Sequence, residues 1–238
     1  MEQVLRLCGA LPALAGVYQG WIAGTYMRKE YLTVSGEAVA ETEEKKSRFI
    51  ATVRPVASEE EAQAFISGLK AKYWNATHNV YAYYICADNV LQKFSDDGEP
   101  SGTAGLPVLE AIKRLDVQDC AVVVTRYFGG TLLGASGLVR AYGKCAGLGI
   151  EAAGIVRKQL CAQADILIDY SLLGKLQAVA AAQGYVIRDT VYTEDVNMHI
   201  YVPVDEIEVF TAVVTEASNG RALISFGEKV YVTKDAGK

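Results

Sequence analysis

CAQADILIDYSLLGKLQAVAAAQGYVIRDTVYTEDVNMHIYVPVDEIEVFTAVVTEASNGRALISF, residues Cys161–Phe226, switches twice between strand and helix periodicity. Cys161 to Asp169 reads as a strand. Ser171 opens a helix that runs through Ala182 and is closed by Gly184. Tyr185 to Thr193 and Val196 to Val202 follow as strands. In the second of these, Val196, Met198, Ile200 and Val202 share one face, while Asn197, His199 and Tyr201 share the other. Asp205 and Glu208 stand at capping-box spacing before a helix whose inner face carries Ile207, Phe210, Val213 and Val214. Arg221 to Phe226 is a last strand. The order β-α-β-β-α-β is the ferredoxin-like signature, so this stretch predicts an α+β domain over 159–230 with a tail at 231–238.

Upstream, the chemistry changes near Val156 to Leu160, and residues 27–158 read as a separate α+β domain. Tyr31 to Ala40 and Ser47 to Pro55 read as strands. Ser58 and Glu61 form a capping box ahead of a helix with an Ala62, Phe65, Ile66, Leu69 stripe. Asn79 to Ala87 is a Tyr- and Val-rich strand. Leu106 to Leu115 is a short helix with Pro107 in its first turn, where a missing N–H costs little. The β-branched run from Cys120 is a buried strand. Ala135 to Ala153 is a glycine-bearing helix suited to close packing on a sheet. Residues 1–26, apolar but broken by Arg6, Pro12 and glycines, are expected to be a disordered tail or a start-site overcall.

Hydrophobic residues make up 51% and charged residues 21% of 238, a globular balance. Five scattered cysteines without a C-x-x-C pair point to reduced thiols and a cytoplasmic protein. His78 and His199 have no partner at ligand spacing, so no metal site is expected. No run is long enough for a membrane span. The net charge of −5 is unevenly spread. Met27–Lys158 holds 16 basic and 16 acidic side chains, against 6 and 11 from Gln159 to Lys238. An anion-binding face therefore requires local clustering.

Two segments of the first domain concentrate polar and small residues. SDDGEPSGTAG, Ser95–Gly105, places Asp96, Asp97 and Glu99 before a small-residue run entering a helix. Ser101, Gly102 and Thr103 there either cap that helix or meet an anion at its free N–H groups. TRYFGGTLLGASGLVRAYGK, Thr125–Lys144, ends a buried strand in Arg126, Tyr127 and Phe128 and turns through Gly129 and Gly130. It re-enters a helix through Gly134, Ser136 and Gly137, with Arg140 and Lys144 one turn apart on the same face. Cation, aromatic ring, flexible turn and helix start together suit a phosphate and a stacked base. In the plainer reading the aromatics are core and the glycines are packing devices. The segment is not a P-loop. Lys46 and Arg48 at a strand entry, with His78 at another, extend the candidate basic patch or form a solvated face.

KKSRFIA (Lys45–Ala51), ATHNVYAY (Ala76–Tyr83), SDDGEPSGTAG, VVVTRYFGG (Val122–Gly130) and LGASGLVRAYG (Leu133–Gly143) together resemble the IMPACT family, in its bacterial YigZ-type form. The resemblance implies a first domain folded like the second domain of a small-subunit ribosomal protein. It also implies a second domain similar to the C-terminal domains of elongation factor G, and a nucleic-acid or ribosome-linked role. The RWD module of eukaryotic relatives has no counterpart here, so control of a kinase pathway is not carried over.

Three function classes follow. The leading one is a protein that binds RNA, ribosomes or translation factors, with Arg126, Arg140, Lys144 and Lys46 on phosphates and Tyr127 or Phe128 stacking; it needs no cofactor. The second is an enzyme on a phosphorylated small molecule or nucleotide, in which Asp96, Asp97 or Glu99 holds Mg²⁺ or acts as base. The third is a docking module for a protein partner. Neither oligomeric state nor ligand identity is legible.

Overall fold

The computed structural model describes residues 3–4, 20–22, 25–86 and 90–235. In chain order the described elements are β1 Gln3–Val4, β2 Gly20–Ile22, β3 Thr25–Met27, β4 Glu30–Val34, β5 Ala38–Glu44, β6 Ser47–Pro55, α1 Glu59–Lys72, β7 His78–Ile85, β8 Leu91–Ser95, α2 Gly105–Arg114, β9 Cys120–Tyr127, α3 Ala135–Ala152, β10 Ile155–Ile168, α4 Tyr170–Gln183, β11 Val186–Tyr192, β12 Val196–Pro203, α5 Ile207–Ser218 and β13 Leu223–Asp235. Most of the 1–26 segment expected as a tail lies outside the described residues. Two compact units result, one built on Tyr31–Arg157 and the other on Arg28–Glu30 with Lys158–Lys234. Both mix helices with antiparallel strands, as the α+β reading requires.

In the first unit a six-stranded antiparallel sheet runs β1-β8-β7-β9-β6-β5. Helix α1 covers one face, where Ala62, Phe65, Ile66 and Leu69 meet Tyr81, Tyr83, Ala121 and Val123. Helices α2 and α3 cover the other, packing Val108, Ile112, Ala141, Cys145 and Ile150 on Phe49, Val53, Val122 and Val124. Neighbouring residues of β9 thus enter different cores, which is why CAVVV is apolar at every position and does not alternate. Ser58 Oγ accepts the Glu61 N–H at 3.3 Å, and Glu61 reaches back to the Ala57 N–H at 2.8 Å. Gly149 lets α3 sit on the sheet: a Cβ there would stand 2.8 Å from that of Ala51.

The second unit has the strand order β11-β12-β10-β13. This is the ferredoxin-like arrangement, with the first and third strands of the motif central. Leu172, Leu176 and Ala180 of α4 and Phe210, Val214 and Ala217 of α5 pack on one sheet face, against Ile166, Met198 and Ile200. Gly184 closes α4 at φ +73°, the left-handed C-cap.

Three expectations are corrected and one strand is added. The strand expected over Tyr31 to Ala40 is two strands, broken at Ser35, whose N–H and hydroxyl bond the carbonyls after α3. Strand β8 was not anticipated, because LQKFS is short and chemically mixed. The tail expected at 231–238 is strand as far as Asp235. Asp205 does not cap α5; its carboxylate pairs with Lys29 at 3.3 Å.

Candidate functional site

The two polar segments of the first unit do meet, but through buried groups. Strand β9 carries Arg126 into the interior, where it is 4% exposed. Its Nη1 lies 2.5 Å from Glu99 Oε1, and its Nη2 donates to Ser47 Oγ at 3.3 Å. The Tyr142 hydroxyl of α3 donates to the same Glu99 oxygen at 2.7 Å. Burial, reinforced by that carboxylate, pushes the Tyr142 phenol far above its ordinary value. The guanidinium contacts two rings, with its carbon 5.4 Å from the centre of Phe49 and 5.5 Å from that of Phe128. His78 is paired opposite Arg126 on the neighbouring strand. Its Nδ1 donates to the Asp97 carbonyl at 2.8 Å, and its Nε2 stands 3.8 Å from Glu99.

The other two carboxylates are also engaged. Asp96 Oδ1 accepts the N–H groups of Ala104 and Gly105 at 3.0 and 2.8 Å, and Oδ2 accepts that of Gly102 at 2.8 Å. Asp97 takes the Asn79 N–H at 2.6 Å and Lys70 Nζ at 2.7 Å. These contacts correct several expectations. Arg126 is an internal brace and not a phosphate contact. The start of α2 is not an open anion site, since Asp96 already fills it. Thr103 does not cap that helix: its hydroxyl donates to the Pro100 carbonyl. Asp96, Asp97 and Glu99 are structural acceptors with their lone pairs turned to protein. Arg48 is bidentate on Glu41 at 2.5 and 2.7 Å, which holds that carboxyl below its usual range.

What faces outward is a neighbouring surface at one end of the sheet. Lys45 and Lys46 form the two-residue turn between β5 and β6, both at positive φ (46° and 65°) and both exposed. That is a type I′ turn, which ordinarily takes Asn-Gly. Gly129 presses on this turn: a Cβ there would stand 2.0 Å from the Lys46 carbonyl. Next to it Phe128 is 45% exposed, backed by the Arg126 guanidinium. The loop after α1 is tied to the same place. The Thr77 N–H donates to the Arg126 carbonyl, the Phe128 N–H to Thr77 Oγ1, and the Tyr127 hydroxyl to Asn75. That loop presents Trp74 at 81% exposure. Gly130 and Gly134 have open space around them, and α3 starts at Gly134 with no side-chain cap. Gly134, Ala135 and Ser136 are exposed, and the first-turn amides of α3, including Gly137, have no intrahelical acceptor because they open the helix.

Arg140 and Lys144 lie farther along α3. With Gly102, Leu106, Arg114, Val139 and Leu148 they line a groove of about 970 Å³ between α2 and α3. Ser101 is exposed. Tyr142, Ser47 and Trp74 were not among the expected site residues. Nothing in their local sequence distinguishes a buried hydroxyl or an exposed indole from ordinary core.

Residues 45–150 match the Impact N-terminal domain, and residues 166–221 match a domain of unknown function (DUF1949). The chain is 42% identical over 208 residues to the Bacillus subtilis protein "IMPACT family member YvyE", covering 87% of this chain and 96% of that one. The chain belongs to the IMPACT family. It is also 35% identical over 210 residues to the "IMPACT family member" of Haemophilus influenzae, covering 84% of this chain and 98% of that one. Among solved structures it is similar to "Crystal structure of an hypothetical protein", with a TM-score of 0.53 and 28% identity over 85% of this chain and 99% of that chain. The stretch matched to the Impact N-terminal domain opens on the Lys45–Lys46 turn and ends inside α3. It therefore contains the whole of the buried brace and of the surface beside it.

Proposed function

We propose that this IMPACT-family chain is a cytoplasmic binding protein of translation, taking RNA, free or in the ribosome, on the surface formed by Lys45, Lys46, Trp74, Phe128, Gly129, Gly130 and the start of α3. One observation carries the reading: the exposed Phe128 ring has the buried Arg126 guanidinium 5.5 Å from its centre and stands beside a di-lysine turn held at positive φ. An aromatic face that cannot retreat into the core is a stacking platform for an unpaired base, worth about 1–3 kcal/mol per base. Two ammonium groups and an uncapped helix start supply the phosphate contacts. Arg126 serves by supporting the ring. Arg140 and Lys144 continue the positive character along α3.

The enzymatic reading is the weaker one because the carboxylates it needs, Asp96, Asp97 and Glu99, are bonded to backbone amides, Lys70, Arg126 and Tyr142.

Fluorescence anisotropy with single-stranded oligouridine, at about 50 and 200 mM salt, tests the reading. Phe128→Ala is expected to weaken binding about tenfold. Lys45→Asn with Lys46→Gly keeps the type I′ turn and is expected to flatten the salt dependence. Ribosome co-sedimentation is the parallel assay. Folded chain that binds neither probe at low salt ends the proposal.

A further inference from the structure

The second unit carries a surface that the RNA reading does not use. Both of its helices pack on the Val196, Met198, Ile200 face of the sheet, so among the described residues of this unit no helix lies on the opposite face. The strand registers lay that face out in three rows. Val186, Tyr201 and Gln163 are cross-strand neighbours; Asp189, His199 and Asp165 form the middle row; Val191, Asn197 and Leu167 form the third. Val186 and Val191 are each 43% exposed and Leu167 is 37% exposed, so the outer rows leave apolar surface in water. In the middle row His199 Nδ1 lies 2.5 Å from Asp165 Oδ1, and Asp189 flanks the same imidazole from the other strand. Arg188, in the bulge between Ile187 and Asp189, is a cation next in sequence to Asp189 of the row.

Open sheet faces with central aromatic residues bind single-stranded nucleic acid when their surroundings are positive. Here two carboxylates occupy the middle of the face, and the segment from Gln159 onward holds 11 acidic against 6 basic side chains. A phosphodiester is repelled from that position, whereas a lysine or arginine head is attracted to it. The apolar rows on either side supply the desolvated contact that an ion pair at a surface lacks.

We propose that the open face of β11-β12-β10 docks a polypeptide segment carrying basic residues between apolar ones, with a cationic head over the Asp165–His199–Asp189 row. The unit then joins a basic protein while the first unit holds RNA; the docking does not depend on the RNA reading.

The test uses the full chain and defined probes: fluorescein-labelled peptides alternating lysine with valine, lysine with serine, and glutamate with valine, together with oligouridine. Anisotropy gives affinities, and ¹⁵N-resolved amide shifts give the location. The lysine–valine peptide is expected to bind, to shift amides of 163–167 and 197–201, and to lose about tenfold in affinity in Asp165→Asn/Asp189→Asn. Lysine–serine should bind more weakly and glutamate–valine not at all. Tyr201→Ser, on the same face but uncharged, should weaken the lysine–valine peptide without changing the preference for lysine over glutamate. Unfolding midpoints confirm that the variants are folded. The proposal is overturned if the lysine–valine peptide fails to bind, if it binds equally to the double Asn variant, or if its shifts fall elsewhere. It is also overturned if oligouridine shifts 197–201.

Discussion

Arg126 Nη1 and Glu99 Oε1 stand 2.5 Å apart with neither residue more than 8% exposed, so the charges best placed to meet a ligand neutralise each other inside the protein. Taking two ions out of water costs several kcal/mol each, and only their mutual attraction and added hydrogen bonds offset it. Tyr142, Ser47 and the two flanking rings supply those additions.

Breaking the pair on one side should therefore hurt more than removing both. Arg126→Leu is expected to lose about 3–5 kcal/mol in urea unfolding, by stranding the Glu99 carboxylate. Glu99→Leu/Arg126→Leu is expected to lose less than Arg126→Leu alone. A double variant that loses the sum of the two single losses contradicts the brace.

Asp96 holds three backbone N–H groups of the loop and of the first turn of α2. Asp96→Ala leaves all three without an acceptor, and about 3 kcal/mol of stability should disappear. Asp96→Asn keeps one carbonyl oxygen and should recover part of that. Hydrogen exchange at Gly102, Ala104 and Gly105 should speed up in Asp96→Ala along with the fall in the unfolding midpoint.

Gly129 and Gly130 are adjacent but constrained differently. A methyl group on Gly129 collides with the Lys46 carbonyl, whereas around Gly130 there is open space and only its φ of +83° resists substitution. Gly129→Ala should cost about 2–3 kcal/mol and displace the Lys45–Lys46 turn. Gly130→Ala should cost about 1–2 kcal/mol. Equal losses in thermal unfolding would remove the argument that Gly129 anchors the lysine turn.

Buried thiols and phenols set the alkaline limit. Burial, with Asp119 and Cys86 adding to it, pushes the Cys120 thiol up to about 12; Cys145, Cys161 and the Tyr142 phenol move the same way, chiefly by burial. A group whose pKa is raised by folding releases its proton more readily from the unfolded chain. Its contribution is fully present below the unfolded value, near 8.5 for a thiol, and is lost as pH rises toward the folded value. Unfolding free energy should stay level from pH 7 to 8. It should then fall between about pH 9 and 12, by up to about 1.4 kcal/mol per unit for each such group. Iodoacetamide labelling of native Cys120 at pH 8 should be slow for the same reason.

The elements themselves were largely legible. Period-two alternation marked β12, the i, i+3, i+4 stripe marked α1, and Gly184 marked the end of α4, because these signals lie within one turn or one pleat of the chain. Where the signal was not local, reading failed. Ser35 breaks β4 from β5 through bonds to carbonyls after α3, and Asp205 leaves its helix for Lys29. The motifs around positions 100 and 130 were also visible as motifs, and together with KKSRFIA and ATHNVYAY they made the family recognisable.

Sequence alone thus determined the helices of both units, the ferredoxin-like order of the second unit and the family, but not strand β8 or the break between β4 and β5. Only the tertiary structure decided which polar side chains face water. An arginine in TRYFGG has the same composition and spacing whether it is solvated or buried, and its carboxylate partner lies 27 residues away. The energy of a charge depends on what surrounds it in three dimensions, so Arg126 became a brace and exposure passed to Phe128, Lys45, Lys46 and Trp74.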